Sequence, residues 1–462
     1  MPKEKSITRV LIWQTAGRFI LQGIGFITAP IFTRLLTPSD YGQIAVYTAW
    51  VSLCSLFVGL QTHGSIANAK IKYGDNKIDG YLSSIMTLSV ISFAALLIIS
   101  IVANGFFARL LGLRSDLVVL LVIQSFASFC IAFYTAKLIQ YKQAERSTLL
   151  SLIVSLLSTG LSVGFLFLIS ENRYIVKIYT NAIPTVIIGS IIVFYVYIKG
   201  KRLFDKQYLK YCLSLTLPLI LHGAGGLILS QSDRVMLQKM IGESSAGIYS
   251  FAYTVALVIF ILWVSFNTTW VPFYYEYKKN NSVEMILLRT RNYTIVFSIV
   301  TMGFILLSPE VYRLMAPKEY WSGIQLIPLI AIAYYFNFLY AFPANFEFYN
   351  EKTKLISLGT IFAAIINVVC NFLLIPVYAG MGAAIATLIS FVFLFAFHEI
   401  IARFVIKKYE NKFGIYCLGL LPIAMTVFLF YSLQDLWFIR WGIGLILGIY
   451  LLHRIIRRKA IF

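Results

Sequence analysis

Apolar residues along this chain gather into about fourteen runs, and the polar positions collect in short gaps between them. Each run is close to the ~20 residues that a helix needs to cross the hydrocarbon of a bilayer. The predicted crossings lie at about 10–31, 43–62, 81–103, 117–138, 149–169, 176–198, 211–231, 246–270, 291–308, 323–346, 356–377, 379–401, 415–432 and 437–453. Alternating segments of ~10 residues, which would mark a membrane barrel, are not seen. The pattern predicts an all-α polytopic membrane protein. No gap exceeds about 20 residues, so there is no room for a soluble domain.

Composition agrees. Hydrophobic residues make up 59% of the 462 and charged residues 13%, about half the charged share of a soluble domain. The distribution of positive charge adds orientation. About 28 of the 39 Lys and Arg fall in every second gap or at the two ends, from Lys3, Lys5 and Arg9 to Arg454, Arg457, Arg458 and Lys459. About ten fall on the other side, Arg34, Arg109, Arg114 and Arg173 among them. Cytoplasmic loops are the ones that hold Lys and Arg. The alternation therefore predicts both termini in the cytoplasm and, for a bacterial chain, residence in the inner membrane. A missed or invented crossing would scramble it downstream, and it holds to the C-terminus.

The net charge of +20 follows from the same rule. The basic residues are scattered over many short loops rather than gathered on one face, which argues against a nucleic-acid partner. Cys54, Cys130, Cys212, Cys370 and Cys417 lie inside or at the edge of apolar runs without a CxxC pair. They read as packing residues, not as a disulfide framework or metal site. The N-terminal MPKEKSITR leads into an apolar run without a small-residue cleavage site, so the first helix is expected to stay.

A weak internal repeat is present. FTRLLTPSDYGQIAVYTA at the first and second crossings aligns with LQKMIGESSAGIYSFAYT at the seventh and eighth. At an offset of about 205, Arg34 lies over Lys239, Gly42 over Gly247 and Val46 over Phe251. Six helices separate the copies, so the repeats run parallel. Two parallel six-helix lobes around a cavity form a transporter architecture. The expected division is 1–200 for the N-lobe, 201–402 for the C-lobe and 403–462 for helices 13 and 14.

The first crossing holds the sharpest candidate chemistry. Gln14, Arg18 and Gln22 are spaced by four and share one helix face. Arg18 lies roughly 12 Å inside the helix start at 1.5 Å per residue. A charge at that depth is costly and often functional, although an arginine there can also snorkel to the headgroups. The two flanking glutamines favour an aqueous cavity. A guanidinium suits a phosphate because its planar fork donates two parallel hydrogen bonds.

The seventh crossing carries Pro218, His222, Gly223, Gly225 and Gly226, which predict a bend or a close helix contact. His222 is a candidate ligand or proton site, with a hydrogen bond to a neighbouring helix as the alternative. Asn267, at the polar end of the eighth crossing, is either interfacial or lines a cavity mouth. Asn367 and Asn371 read as an interhelical hydrogen-bond pair. Asp233, Glu347 and Glu399 fall at the ends of runs, and His398 beside Glu399 is expected near solvent. No acid lies near the centre of a run, so a cavity here suits an anionic substrate better than an organic cation. Walker, HExxH and dinucleotide motifs are missing. The chain is therefore expected to be no enzyme and to carry no cofactor, and any uphill transport must draw on an ion gradient or on consumption of product.

Several stretches resemble bacterial polysaccharide flippases of the Wzx type. Arg34 to Gly42 (RLLTPSDYG) resembles their first periplasmic loop. Asp233-Arg234-Val235-Met236-Leu237, Gly242 and Gly247 to Tyr253 resemble their seventh and eighth helices. Lys352-Thr353-Lys354, Asn367 to Asn371, Ile375-Pro376 and Gly380 to Thr387 are similar to their helices 10 to 12. The resemblance implies a MATE-like fold of the multidrug/oligosaccharidyl-lipid/polysaccharide exporter superfamily. It implies an undecaprenyl-diphosphate-linked oligosaccharide as substrate, moved from the cytoplasmic to the periplasmic leaflet for O-antigen or other surface polysaccharide. Arg18, with Gln14 and Gln22 beside it, would engage the diphosphate. Membrane lipids, a polysaccharide polymerase and a chain-length regulator are the implied partners, with H+ or Na+ as the candidate coupling ion. An ion-coupled drug or metabolite antiporter of the same fold is the alternative. A polymerase or ligase is disfavoured, since such enzymes are expected to carry a large periplasmic loop.

Overall fold

The computed structural model describes residues 7–434 and 436–456. Among them every regular element is helical. In chain order the α-helices are α1 (Ile7–Leu35), α2 (Pro38–Gly59), α3 (Ile66–Val102), α4 (Asn104–Leu111), α5 (Ser115–Gln140), α6 (Ala144–Leu168), α7 (Arg173–Gly200), α8 (Lys206–Met240), α9 (Glu243–Lys279), α10 (Val283–Met315), α11 (Ile327–Tyr349), α12 (Thr353–Ile400), α13 (Phe413–Ser432) and α14 (Trp437–Ile456).

Among the described residues a helix covers each of the fourteen predicted crossings, and eleven helices are long and apolar enough to span a membrane. One of these, α12, carries two crossings, because its helical backbone is interrupted at Ala379, where φ is 48°. The helices α1 and α14 complete the set, while the short α4 links α3 to α5.

Local chemistry sets the breaks. Between α1 and α2 the chain turns in two residues. Thr37 caps α2: its Oγ1 accepts from Asp40 N at 3.2 Å, while Thr37 N donates to Asp40 Oδ2 at 3.0 Å. Pro38 follows at the first helical position, where a missing N–H costs nothing. Gly74 interrupts α3 with φ 68°, a conformation open to glycine because it lacks a Cβ.

The chain divides into two compact units, Met1–Gly247 and Ile248–Phe462. In the first, α2 packs on α5, α5 on α7, α6 on α1 and α7, and α8 on α2. Its core includes Tyr81, Ile85, Met86, Phe129 and Phe133, all fully buried. Two of the polar pairs inside it are Tyr47 OH, which donates to Gln124 Oε1 at 2.9 Å, and Tyr81 OH, which donates to Ser65 Oγ at 2.7 Å. Lipid offers no partner for such groups, so the protein must supply one. In the second unit α11 packs on α12, and α10 on α13 and α14. Phe297 and Phe338 stack at 4.2 Å. Arg440 of α14, fully buried, is clamped by Glu310 of α10 at 2.6 and 3.2 Å and by Leu306 O at 2.7 Å.

The outward faces are apolar in both units. Ile27, Phe167, Leu168, Phe194, Leu421 and Leu445 are all largely exposed. In water such a surface would drive aggregation, whereas against acyl chains it is the expected covering.

Candidate functional site

The backbone carries Gln14, Arg18 and Gln22 on one uninterrupted helix, α1, so their four-residue spacing places them on one face. Gln22 is half-buried. The side chains of Gln14, Arg18 and His222 lie outside the described residues. Next to Arg18, Gly17 is buried against α6, where Thr148 Oγ1 donates to Trp13 O at 3.2 Å. Next to His222, Gly223 meets the end of α2: a Cβ there would sit 2.9 Å from Gln61 Nε2 and from Leu56. Of the glycines of α8, Gly223 therefore provides a close contact, whereas Gly226 faces open space. Asn267 of α9 is half-buried, and its Oδ1 accepts from Asn345 Nδ2 of α11 at 2.9 Å.

Three acids depart from the sequence expectation. Asp233, Glu347 and Glu399 were expected at interfacial ends, and all three are buried. The reason is helix length. The end of an apolar run is not the end of the packed helix: α8 continues from Asp233 to Met240, and α12 passes Glu399 into a further turn at Ile401–Ile406. Glu399 accepts from Arg403 Nε at 2.7 Å. His398, expected near solvent, is wholly buried, with Nδ1 2.8 Å from Glu347 Oε1. Asn371 Nδ2 donates to Asn367 Oδ1 at 3.0 Å, one turn away on the same helix.

The most constrained contact joins the first turns of α2 and α9. A Cβ added to Gly42 would lie 1.9 Å from Glu243 O, and one added to Gly247 would lie 1.8 Å from Pro38 O. The two helices thus meet backbone to backbone, at positions only glycine can occupy. The contact is reciprocal. The repeat places Pro38 over Glu243 and Gly42 over Gly247, and each glycine faces the carbonyl of the other copy's first residue. Such exchange of partners is the mark of a local two-fold. At the rim, Ser39 Oγ and Gln43 Nε2 both donate to Glu243 Oε2 at 2.7 Å. Glu243 opens α9, where a negative charge is favoured by the helix dipole. Sequence reasoning aligned the two glycines but missed Ser39, Gln43 and Glu243 as a unit. The shared spacing, Pro38 to Gly42 and Glu243 to Gly247, was the available signal.

Comparison with known proteins gives the same fold. The structure is similar to that of "Lipid II flippase MurJ, inward closed conformation", with a TM-score of 0.76 and 16% identity over 98% of this chain and 100% of that one. It also resembles an inward-facing multidrug resistance MATE family transporter of the MOP superfamily, with a TM-score of 0.62 and 14% identity over 85% of this chain and 98% of that one. These bear out the all-α, MATE-like fold. In sequence, the chain is 24% identical to "Capsular polysaccharide biosynthesis protein CapF" of Staphylococcus aureus, over 82% of this chain and 95% of the relative. It is 24% identical to "Lsg locus putative protein 1" of Haemophilus influenzae, over 75% and 85% respectively. The family model described as "Polysaccharide biosynthesis protein" matches residues 7–278, more than half of the chain, and this multi-pass membrane protein belongs to that family.

Proposed function

We propose that the protein is a flippase for an undecaprenyl-diphosphate-linked oligosaccharide repeat unit, carrying it from the cytoplasmic to the periplasmic leaflet by alternating access. The observation that carries the reading is the reciprocal crossing of α2 and α9. It lies at the expected periplasmic end and is built from matched positions of two repeats. Backbone contact between glycines with a small polar rim needs little free energy to separate, because no large side chain must be unpacked. Closed, it would bar the periplasm while the substrate's head group enters from the cytoplasm. Opened, it would release that head group. The prenyl tail stays in lipid, so only the polar head needs a path. Family membership and the capsule-related relative support a polysaccharide precursor as cargo.

Arg18 would meet the diphosphate, flanked by Gln14 and Gln22, with Asn267 and His222 as further candidates along the path. A buried carboxylate would favour an ion-coupled antiporter, and Asp233, Glu347 and Glu399 are buried. Glu347 is excluded from solvent and paired with His398, however, and Glu399 is paired with Arg403.

The test is a deletion strain complemented with Arg18 variants, scored as surface polysaccharide per unit of membrane-inserted protein. Deletion should leave lipid-linked repeat units on the cytoplasmic side. Arg18→Lys should keep part of the export, Arg18→Ala little, and Arg18→Glu least, since it puts repulsion where the diphosphate sits. Normal export by Arg18→Glu at normal abundance would remove Arg18 from the path. A deletion strain that keeps its polysaccharide and becomes drug-sensitive would replace the flippase reading with the antiporter.

A further inference from the structure

The second unit holds an ionisable pair that rigid-body opening does not use. Glu347 lies in the last turn of α11 and His398 in the last turn of α12. Both side chains are completely excluded from solvent, and Nδ1 and Oε1 lie 2.8 Å apart. Their outer atoms, Glu347 Oε2 and His398 Nε2, are buried without a hydrogen-bond partner. Buried polar atoms nearly always have one. The ring fits because Gly359, in the first half of α12, has no side chain: a Cβ there would stand 2.3 Å from His398 Nε2. On α11, the Tyr340 ring lies 4.9 Å from the imidazole.

The other charges nearby are engaged elsewhere. Glu399, next along α12, is paired with Arg403. Lys278 of α9, over the Phe346 ring, is paired with Glu410. Glu351, Lys352 and Lys354, at the start of α12, are exposed. From α13 comes Tyr416, whose hydroxyl meets that of Tyr409 at 2.8 Å.

We propose that Glu347 and His398 form a proton-binding site whose single proton is exchanged when this end of the second unit opens. The inference rests on the transport reading and names the coupling ion for it. Sharing one proton beyond a neutral imidazole and a carboxylate, the pair is neutral overall. Without that proton a lone carboxylate is buried, and with a second proton a lone imidazolium is. Either state is costly in an apolar interior. The closed conformation therefore selects one proton. A conformation that admits water to Oε2 and Nε2 removes the penalty and lets the proton leave. Occupancy and conformation are then linked, and the link is reciprocal. Proton binding can drive a conformational equilibrium only through such a difference in affinity between two states.

The experiment uses the full chain in lipid nanodiscs, with spin labels at positions 354 and 412 at the end of the second unit that carries the pair. Distance distributions are recorded between about pH 5.5 and 8.5, the range in which an imidazole changes charge. The wild type should shift between two populations. Glu347→Gln and His398→Gln, each nearly isosteric, should lose the pH response and stay in one population. If both variants fail to insert, Gly359→Ala takes their place. Its methyl group meets the ring without altering a titrating group, and it should move the midpoint of the transition. A wild type without a pH response, or variants that respond as the wild type does, would overturn the proposal. Failure of the two readings can be told apart. A pH response lost in the variants, beside normal polysaccharide in the deletion strain, keeps the proton site and rejects the flippase. Export that needs the protein, beside an unchanged response in the variants, rejects the proton site alone.

Discussion

The crossing of α2 and α9 and the Glu347–His398 pair solve the same problem in opposite ways. Both bring a carboxylate into a helix contact of a membrane protein. At the crossing the contact is made by backbone. Gly42 and Gly247 allow the approach, and Glu243 stays half-buried at the rim, with two side-chain donors on one oxygen. If the helices part, water can replace both donors, so the contact is reversible at low cost. At the pair the contact is made by side chains alone, both excluded from solvent, with one unpartnered atom on each group. Parting those groups without letting water in strands a charge. The first contact therefore reports geometry, and the second reports the charge state of the protein. On the readings proposed above, the first would set which side is open and the second what must bind or leave for that to change.

The largest effect should come from filling the crossing. Gly247→Leu places a branched side chain where even a Cβ would be 1.8 Å from Pro38 O. The helices can only separate, since the obstacle is backbone on both sides. Export should be abolished at normal abundance, and a cysteine pair replacing Ser39 and Glu243 should lose its oxidative cross-link in the same background. A cross-link that still forms, with export intact, would mean that the glycine contact is packing and not a gate.

The sealed half of the comparison can be sharpened with a second buried charge. Arg440 is as buried as His398, yet its guanidinium is met by Glu310, Leu306 O and Leu433 O. Arg440→Met leaves Glu310 without its partner and should cost about 3 kcal/mol. A drop in melting temperature in detergent that is the same at pH 6 and pH 8 is the expected result. A guanidinium stays charged throughout this pH range. A pH-dependent loss here would erase the distinction drawn between a structural ion pair and a proton site.

Much of this architecture was legible from hydropathy and charge, and the limits are physical. The runs located all fourteen crossings because lipid imposes one length on each. They did not locate helix ends. The third crossing was expected at 81–103, whereas the helical segment that holds it starts just after the break at Gly74 and carries Lys77 outside the apolar run. Hydropathy marks the part of a helix in lipid, while capping and packing decide where the helix stops. The same blindness misplaced the acids. Glu347 and His398 are 51 residues apart, each at the end of a run, and no periodicity links them. Only the packing of α11 on α12 brings them together. The glycines were legible in a different sense. The repeat aligned Gly42 with Gly247, because a local two-fold forces matched positions to meet, but their contact partners needed coordinates. Arg18 remains an expectation from its helix face.

The smallest effect concerns the rim. Glu243→Gln keeps the shape of the side chain and one acceptor oxygen, and removes the charge that strengthens both hydrogen bonds. It also removes a favourable interaction with the start of α9, worth about 0.3–1 kcal/mol at an exposed site. The total should be about 1–2 kcal/mol against the closed crossing. That is too little to unfold the unit and enough to change the ratio of closed to open forms about tenfold. The measurement is the cross-linking rate between cysteines placed at positions 37 and 242, next to the rim. The rate should fall in Glu243→Gln while insertion is unchanged. Ser39→Ala and Gln43→Ala should each give a smaller part of the loss, and adding either to Glu243→Gln should bring little more, because the donors act through that one oxygen. Losses that simply add would show three separate contacts, and the rim would then be a surface feature rather than a latch on the glycine crossing.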